Sequence, residues 1–543
     1  MPRYSTSMLI SGGENMLKKC CLVSVVLGAL FVCAAPLTEN ESDKLVQIGD
    51  VKVGFALGFG HWQEAKNNRS SGGVGSERAF VPTLSLAHGA MDSLSVATNG
   101  NVLTATWKGH AACGDDFTVK ADFSLLPGGG FEYSNFGYAG NESGTNVQWM
   151  AFPAIVVPRS ESTAVFRPYF AGEVLRPDWK SARKGQDIST VGPEWKVFNC
   201  LAALEENGVS HFLDQRGEAR RYCTKLQVRN GSEPGTLVLR NIYRQPIDKK
   251  HLKSSAMPYS GVYMPFHGGW YEAAMLHRKW IESTDWFKAA AKRDFSKLRE
   301  IDLWMWSRGN IAVSEPPVHW FMKETGLKVG LDWYWWHNVP YDTAYPFYWP
   351  PRDGETAFCA AVDRMKKRGA FLQVYTNGML WDERDSRWAQ GGIESAIVND
   401  NGKIVGQTFN PFTQQRQAYM CGEAPKFQQK MRALVKTLSA TGLDGVYLDM
   451  ISCAAHEACF NPRHTHAPGD ARALIDGYCD YVETVRRENP GFLLSSEATS
   501  EAYIDRFESF IMLYSSWERV LNGSMPRSEP VPTVTVIYRD AAV

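Results

Sequence analysis

Hydrophobic and polar positions follow different patterns in the two halves of this 543-residue chain. Between residues 45 and 265, apolar and polar residues alternate, as in "NVLTATWKG" and "FTVKADFSLL", and Gly, Asn and Pro interrupt the runs. Alternation with a period of two is typical of strands with one buried face, and no helical period persists in this region. We therefore predict an antiparallel β-sandwich over residues 45–265.

After residue 265 the period changes. A helical linker is predicted at residues 266–295, and beyond it short apolar runs alternate with segments whose apolar residues recur at i, i+3, i+4 and i+7. The predicted helical stripes cover 358–365, 427–438 and 474–485, and Gly369 and Gly442 end the first two. Seven apolar runs are typical of strands: 302–306, 329–335, 371–376, 445–450, 492–496, 510–515 and 533–538.

Alternating strands and helices predict a parallel α/β fold over residues 296–543. A doubly wound sheet is one alternative, but no Gly-rich phosphate turn follows any strand, so we favour a (β/α)8 barrel of the TIM type. Seven strands are one too few for such a barrel. We therefore expect either an overlooked strand or a barrel that is truncated at its C-terminal end.

Two acidic residues are predicted to lie at the C-terminal ends of neighbouring strands. In "TGLDGVYLDMIS", Asp444 opens the apolar run and Asp449 closes it, while Glu497 closes the next strand in "FLLSSEAT". Chemistry in these barrels lies at the C-terminal strand ends, so Asp444 is expected to have a structural role and Asp449 a catalytic one. Adjacent strands would bring the Asp449 and Glu497 carboxyl groups to about 5–6 Å, the spacing of a retaining glycosidase.

Further residues near this predicted face are candidates for binding substrate. Seven of the 18 Trp lie between Trp304 and Trp349, and flat aromatic side chains can pack on sugar rings. The candidates are Asp332, Trp333, Trp335, Trp336 and His337 in "DWYWWHN", Asp382 after the third strand, Asp540 after the seventh, and His464 and His466 in the loop that follows Asp449.

That loop, "CAAHEACFNPRHTHAPG", contains Cys453, His456, Cys459, His464 and His466. Cys and His are the usual zinc ligands, but the spacing matches no closed Cys/His site. We therefore predict no metal and no cofactor, and expect the histidines to contact substrate.

The N-terminus has the pattern of a secretory signal over residues 1–35, whose start could be Met16: two lysines, an apolar run, and small residues at a cleavage position. It predicts export to the periplasm, the cell surface or the medium, with lipid attachment at Cys33 as the less favoured variant. The mature chain is expected to have no membrane span. Lys+Arg and Asp+Glu both total 58, so nothing indicates nucleic acid as a partner.

With "GLDGVYLDM" and "LLSSEAT" after a predicted sandwich, the chain resembles the glycoside-hydrolase-like domain of unknown function 6259 family. It is more distantly similar to the endo-α-N-acetylgalactosaminidase families. This resemblance implies a retaining mechanism in which Asp449 is the nucleophile and Glu497 the acid/base.

The sequence therefore favours an exported retaining glycosidase acting on carbohydrate, more specifically on α-linked sugars of complex glycans. Two alternatives remain open. One is a carbohydrate-binding protein without activity, and the other is a zinc-dependent hydrolase that uses the Cys453–His466 loop.

Overall fold

The computed structural model describes residues 39–41, 44–59, 61–62, 80–81, 91–110, 116–140, 142, 147–169, 171–177, 188–191, 198–222, 224–245, 252–338, 343–410, 412–453, 458–470, 472–512 and 528–543. The predicted signal at residues 1–35 and the loop residue His456 lie outside this part of the chain.

The N-terminal half consists of strands. They are β1 (Glu39–Glu41), β2 (Val46–Ile48), β3 (Val51–Phe59), β4 (His61–Trp62), β5 (Phe80–Val81), β6 (Met91–Asn99), β7 (Val102–His110), β8 (Asp116–Leu125), β9 (Phe131–Ala139), β10 (Val147–Pro158), β11 (Ala164–Arg167), β12 (Glu173–Leu175), β13 (Ile188–Val191), β14 (Cys200–Leu204), β15 (Ser210–Gln215), β16 (Thr224–Asn230), β17 (Thr236–Arg244), β18 (Ser254–Ala256) and β19 (Gly261–Phe266).

These strands form two large antiparallel sheets. One has the order β1-β3-β10-β17-β16-β13, with β2 on β3, and the other runs β12-β11-β14-β15-β19-β9-β8-β7-β6, with β18 on β9. Side chains from both sheets share one hydrophobic core, in which the rings of Phe136 and Phe152 stack at 4.2 Å and Phe55 contacts Trp107 at 5.1 Å. The period-two alternation predicted strands of this kind, because a strand such as β8 buries every second side chain.

The C-terminal half alternates helices and strands. Its elements are α1 (Trp270–Ile281), α2 (Asp285–Ala291), α3 (Ser296–Arg299), β20 (Leu303–Ser307), α4 (Ile311–Thr325), β21 (Val329–Trp333), α5 (Glu355–Lys367), β22 (Phe371–Asn377), β23 (Leu380–Asp382), α6 (Gly392–Ser395), β24 (Gly406–Thr408), β25 (Arg416–Tyr419), α7 (Pro425–Ser439), β26 (Gly445–Asp449), α8 (Ala473–Glu488), β27 (Leu493–Glu497), β28 (Ser509–Ile511), β29 (Ser528–Pro530) and α9 (Thr533–Tyr538).

Six of these strands make a parallel sheet with the order β20-β21-β22-β26-β27-β28. They correspond to the first six predicted strands. Helices α5, α7 and α8 bury the predicted apolar stripes, and Gly369 and Gly442 have positive φ angles of 92° and 90°, as expected after helix ends. Over the described residues the sheet ends at β20 and β28, so a closed eight-stranded barrel is not observed there.

The seventh predicted strand is wrong, because residues 533–538 form helix α9. Its apolar run "TVTVIY" is short enough to suit either a buried strand or a buried helix. Tyr538 and Ile537 are buried in a core that also contains Ala273 and Ala274 of α1. The preceding strand β29 pairs antiparallel with β12, so the last residues of the chain pack on the N-terminal half.

No helix within the described ranges is both long enough and apolar enough to cross a membrane.

Candidate active site

The candidate site lies at the C-terminal end of the parallel sheet, where the register aligns polar side chains from four strands. Asp332 on β21 pairs with Gln373 on β22, and Asn377 at the end of β22 pairs with Asp449 at the end of β26. Leu448 pairs with Ser496, so Asp449 and Glu497 occupy the same level on adjacent strands. Since side chains alternate along a strand, these residues point to one face of the sheet.

Asp449 is held by neutral hydrogen-bond donors. The Tyr447 hydroxyl donates to Oδ1 at 2.8 Å, while the Tyr375 hydroxyl and the Asn377 amide donate to Oδ2 at 3.1 and 3.2 Å. The side chain is buried, with 8% of its surface exposed. Donors to both oxygens fix the carboxyl plane, which is what a nucleophile aimed at one carbon atom needs.

Glu497 lies within hydrogen-bonding range of Asp449, closer than the spacing predicted from the sequence. The Cys453 thiol donates to Glu497 Oε2 at 3.0 Å, and the Ser452 hydroxyl donates to the Glu497 carbonyl at 2.6 Å. Because two ionised carboxylates in contact repel each other, such a pair favours holding one proton between its members.

The backbone turns sharply after each of these two acids. Met450 has a φ of +71° and Ala498 a φ of +45°, a left-handed region that L-residues rarely adopt. Among the described residues, five non-glycine positions have positive φ, and two of them directly follow Asp449 and Glu497. Strained backbone is often found at functional sites, where the surrounding structure holds it in place.

Burial raises the pKa of two acids on this face. Burial raises the pKa of Asp449, and the hydrogen bonds from Tyr447, Tyr375 and Glu497 only partly offset it. Burial also raises the pKa of Asp332 to about 8, a hydrogen bond from Gln373 lowers it, and the nearby charge of Asp449 raises it further. The Asp332 Oδ1 atom is buried and has no hydrogen-bond partner among the described residues.

Asp444 lies at the opposite end of the same strand, as predicted. Its Oδ2 accepts from the Leu372 amide at 2.9 Å and its Oδ1 pairs with Lys366. The Leu372 bond ties the start of β26 to β22, which gives this acid a structural role away from the site.

The aromatic residues of "DWYWWHN" divide between core and site. The indoles of Trp333 and Trp336 are buried, and their N–H groups donate to the carbonyls of Gly309 and Tyr375 at 2.7 and 2.8 Å. Both are therefore part of the core, so the structure does not support the predicted contact with sugar for either. Trp335 is half-buried and packs against the same core.

An exposed tryptophan near the site was missed. Trp306, at the end of β20, pairs with Asp332 in the sheet and leaves 60% of its surface exposed. It contacts Tyr334 at 4.8 Å, and Tyr334 stacks on Tyr375 at 4.4 Å. The Arg308 guanidinium lies 4.2 Å from the Trp306 ring. The signal was the alternation of "DLWMW", which places Trp304 and Trp306 on one face.

Two other predicted binding residues have structural partners. Asp382 is fully buried, and its oxygens accept from the amides of Ala344 and Arg384 at 2.7 and 2.9 Å. Asp540 follows helix α9 rather than a strand and pairs with Arg278 of α1. Its predicted place at the site followed from the wrong strand at 533–538, and the helix instead places it beside α1.

His337 remains near the site. Its ring is buried and lies 5.1 Å from the ring of Tyr348, and the Tyr348 hydroxyl accepts from the backbone N–H of Asn377 at 2.6 Å. His337 thus packs behind the strand end that carries Asn377.

The candidate residues in the loop after Asp449 lie in two places. Cys453 lies beside Glu497, whereas His464 and His466 gather with Cys459 and with Cys421, a residue that the sequence did not single out. The ligand atoms of these four residues lie within 4.8 Å of one another. Sequence reasoning also missed Tyr375, Tyr447 and Asn377, although each is one or two positions from a predicted strand end.

Comparison with known proteins identifies relatives of this chain. Residues 255–543 match the model of "Domain of unknown function (DUF6259)". A protein of Bacteroides thetaiotaomicron named "Putative glycoside hydrolase" is 27% identical over 300 residues, covering 54% of this chain and 43% of that protein. "Putative glycoside hydrolase 22789" of Monosiga brevicollis is 24% identical over 310 residues, covering 48% of this chain and 26% of that protein. The aligned regions thus span less than half the length of these relatives.

Among solved structures, the ligand-free alpha-N-acetylgalactosaminidase NagBb from Bifidobacterium bifidum matches with a TM-score of 0.67. The match covers 92% of this chain and 85% of that one, at 13% sequence identity, and it shows a shared fold. Together with the family-model match over more than half of the sequence, these findings lead to one conclusion: the chain belongs to the domain of unknown function 6259 family.

Proposed function

We propose that this protein is a retaining glycoside hydrolase that acts on α-linked sugars. The observation that carries the proposal is a pair of carboxyl groups, the buried Asp449 and the half-buried Glu497, within hydrogen-bonding range of each other at the ends of two adjacent parallel strands. The names of the two curated relatives support the reaction class. The shared fold with an alpha-N-acetylgalactosaminidase makes α-linked N-acetylgalactosamine and galactose the first substrates to test.

In the first step, an Asp449 oxygen attacks the anomeric carbon, the bond from that carbon to the glycosidic oxygen breaks, and Glu497 gives its proton to the leaving oxygen. In the second step, Glu497 takes a proton from water, the water oxygen attacks the same carbon, and Asp449 is released. The sugar would have to enter between the two acids and separate them.

The roles follow from the surroundings of each acid. Three neutral donors fix Asp449 and stabilise its ionised form, which suits a nucleophile. Glu497 accepts a hydrogen bond from the Cys453 thiol, which is a weak donor. A weak donor stabilises the ionised carboxylate only slightly, so Glu497 is better suited than Asp449 to carry the proton. Asp332 Oδ1 is available to accept a hydrogen bond from a sugar hydroxyl, and Trp306 offers a face on which a sugar ring can pack.

The test is to incubate the full chain with aryl α-glycosides of galactose and N-acetylgalactosamine and to follow the anomeric product by NMR. The α-anomer is expected as the first product. A fluorinated glycosyl inhibitor should leave one sugar covalently bound to the peptide that contains Asp449. Glycan binding with no hydrolysis of any substrate would instead favour a carbohydrate-binding protein, and a β-anomer as first product would contradict retention.

A separate measurement distinguishes the two acids. In Glu497→Ala, added azide should restore turnover and give an α-glycosyl azide, because azide attacks the glycosyl intermediate without needing a base. In Asp449→Ala, azide rescue should instead give the β-glycosyl azide. Identical azide products from both variants would contradict the assigned roles.

We also propose that the protein is exported, on the basis of the signal pattern in residues 1–35. N-terminal sequencing of the mature chain from a bacterial host should begin near residue 36. An intact N-terminus retained in the cytoplasm would contradict export.

A further inference from the structure

The loop between Asp449 and α8 contains a second cluster of reactive side chains. Cys459, His464 and His466 come from this loop, and Cys421 comes from the segment between β25 and α7. Both thiols are buried and both imidazoles are half-buried. The Cys459 sulfur lies in hydrogen-bonding range of all three other residues. The cluster takes no part in the chemistry proposed above.

Two sulfur–nitrogen distances in the cluster are close to the edge of a metal-centred tetrahedron. Cys421 Sγ lies 3.5 Å from His466 Nε2, and Cys459 Sγ lies 3.3 Å from His464 Nδ1. A tetrahedral zinc with Zn–S of about 2.3 Å and Zn–N of about 2.0–2.1 Å would place sulfur and nitrogen about 3.6 Å apart.

Each histidine is also oriented by its other ring nitrogen. His464 Nε2 lies 3.0 Å from the Glu394 carbonyl, and His466 Nδ1 lies 2.9 Å from the Ala467 carbonyl. Each second nitrogen can therefore donate its N–H to a carbonyl, and the nitrogen facing the cluster keeps its lone pair. Metal-bound histidines almost always make this second bond, which fixes the ring and its tautomer.

The backbone around the cluster is held independently of these side chains. The Gly469 amide donates to the Cys459 carbonyl at 2.8 Å, the Phe460 amide to Val398 at 2.7 Å, and the Cys421 amide to Ser395 at 2.8 Å. The Asn461 amide group donates to the Ala396 carbonyl at 2.9 Å. These bonds hold Cys421, Cys459 and the residues next to Cys459 in place.

We propose that Cys421, Cys459, His464 and His466 form a structural zinc site. Two thiolates and two imidazoles whose ligand atoms lie within 4.8 Å of one another are a donor set typical of tetrahedral zinc. Because the protein supplies all four ligands, no position is open for a water nucleophile, and the site therefore differs from that of a zinc-dependent hydrolase. The metal would fasten the loop that follows Asp449 to the segment before α7.

The first test is the metal content of the full-length protein purified with reduced thiols. We expect about one zinc per chain, with two sulfur and two nitrogen neighbours in the X-ray absorption spectrum, at distances of about 2.3 and 2.0–2.1 Å. Cobalt substitution should give thiolate charge-transfer bands and the intense visible bands of tetrahedral cobalt. These measurements use the unmodified chain and do not depend on its having glycosidase activity.

The second test uses variants. Cys421→Ser and Cys459→Ser should each lose most of the bound zinc, while Cys359→Ser, a cysteine on helix α5, serves as the matched control and should keep it. Chelation should lower the melting temperature of the wild-type protein and of the control.

Two outcomes would contradict the proposed zinc site. One is a protein that neither contains nor takes up zinc or cobalt while its thiols are reduced. The other is a Cys421–Cys459 disulfide found by non-reducing peptide mapping of the protein from its own compartment, because that bond would consume both thiolates.

Discussion

Glu497 and Glu501 lie four residues apart in the chain, but they belong to two groups of acids that differ in their partners. At the strand ends, the donors to Asp449 are neutral hydroxyl and amide groups. At the contact between the two halves of the molecule, Glu501 and Asp214 flank the ring of His277 at 2.7 and 2.9 Å, and the Tyr538 hydroxyl donates to Glu501 at 2.9 Å.

The partners decide the direction of each pKa. Burial alone would raise the pKa of Glu501, but His277, Tyr538 and Arg220 lower it below its ordinary value. Burial alone would lower the pKa of His277, but Asp214 and Glu501 raise it to about 10. The cation thus makes the junction group ionic and stabilising, whereas Asp449 and Asp332 at the candidate site have raised pKa values, and shifted pKa values are typical of catalytic groups.

The largest effect is expected for Glu497→Gln. It should lower kcat by about 10²–10⁴-fold, because the leaving oxygen loses its proton donor. Steady-state kinetics on an aryl α-glycoside with a poor leaving group measures this. Glu501→Gln is the matched control and should keep kcat within about threefold under conditions where it is folded. Equal losses in both variants would contradict the division between the two groups.

The second effect concerns stability. Glu501→Gln should lower the free energy of unfolding by about 3 kcal/mol, because it removes one partner of a buried ion pair. Chemical denaturation at neutral pH checks it. Glu497→Gln should change that free energy by less than about 1 kcal/mol, since this acid is only half-buried and the Cys453 thiol that donates to it is a weak donor.

The third effect depends on pH. Asp332 has a folded-state pKa of about 8, above its unfolded value of about 3.9. The folded state therefore binds more protons than the unfolded state between these values, and stability falls as pH rises through that window. Asp332→Asn should accordingly be more stable than wild type by at least about 1 kcal/mol at pH 8, since each unit of pKa difference corresponds to about 1.4 kcal/mol.

The same variant supplies its own control at low pH. The gain should shrink toward zero near pH 4, where the wild-type acid is protonated in the folded state. Thermal unfolding at both pH values measures the difference. A gain of equal size at both pH values would show that the raised pKa is not its cause.

The smallest effect is expected at the aromatic face. Trp306→Ala should raise KM by about 3–10-fold and leave the unfolding free energy nearly unchanged, because aromatic contacts are worth about 0.5–1.5 kcal/mol and this side chain is 60% exposed. Trp320→Ala on helix α4, whose tryptophan is 62% exposed, is the matched control and should change neither quantity.

Local sequence patterns predicted the helices and strands well where the periodic segment was long. Six parallel strands, the stripes of α5, α7 and α8 and the opposite positions of Asp444 and Asp449 all followed from alternation and strand polarity. The run at 533–538 failed because six apolar residues do not distinguish a strand from a buried helix, and that error also misplaced Asp540.

The site was only partly predictable because its completion depends on contacts between distant segments. Asp449 and Glu497 could be paired from the strand order, but which tryptophans face the site depends on the side of β20 and β21 that each occupies. Cys421 lies 38 residues before Cys459 and on another loop, so no spacing rule could include it in the cluster.

The pairing of β29 with β12 has a practical consequence for dissecting the molecule. A fragment cut at residue 255, where the family match begins, would leave β29 without its neighbour and would expose the edge it covers. It would also remove Asp214 from the ring of His277. Such a fragment should aggregate or be recovered in low yield, whereas supplying residues 39–254 as a second polypeptide should restore solubility by reassembly.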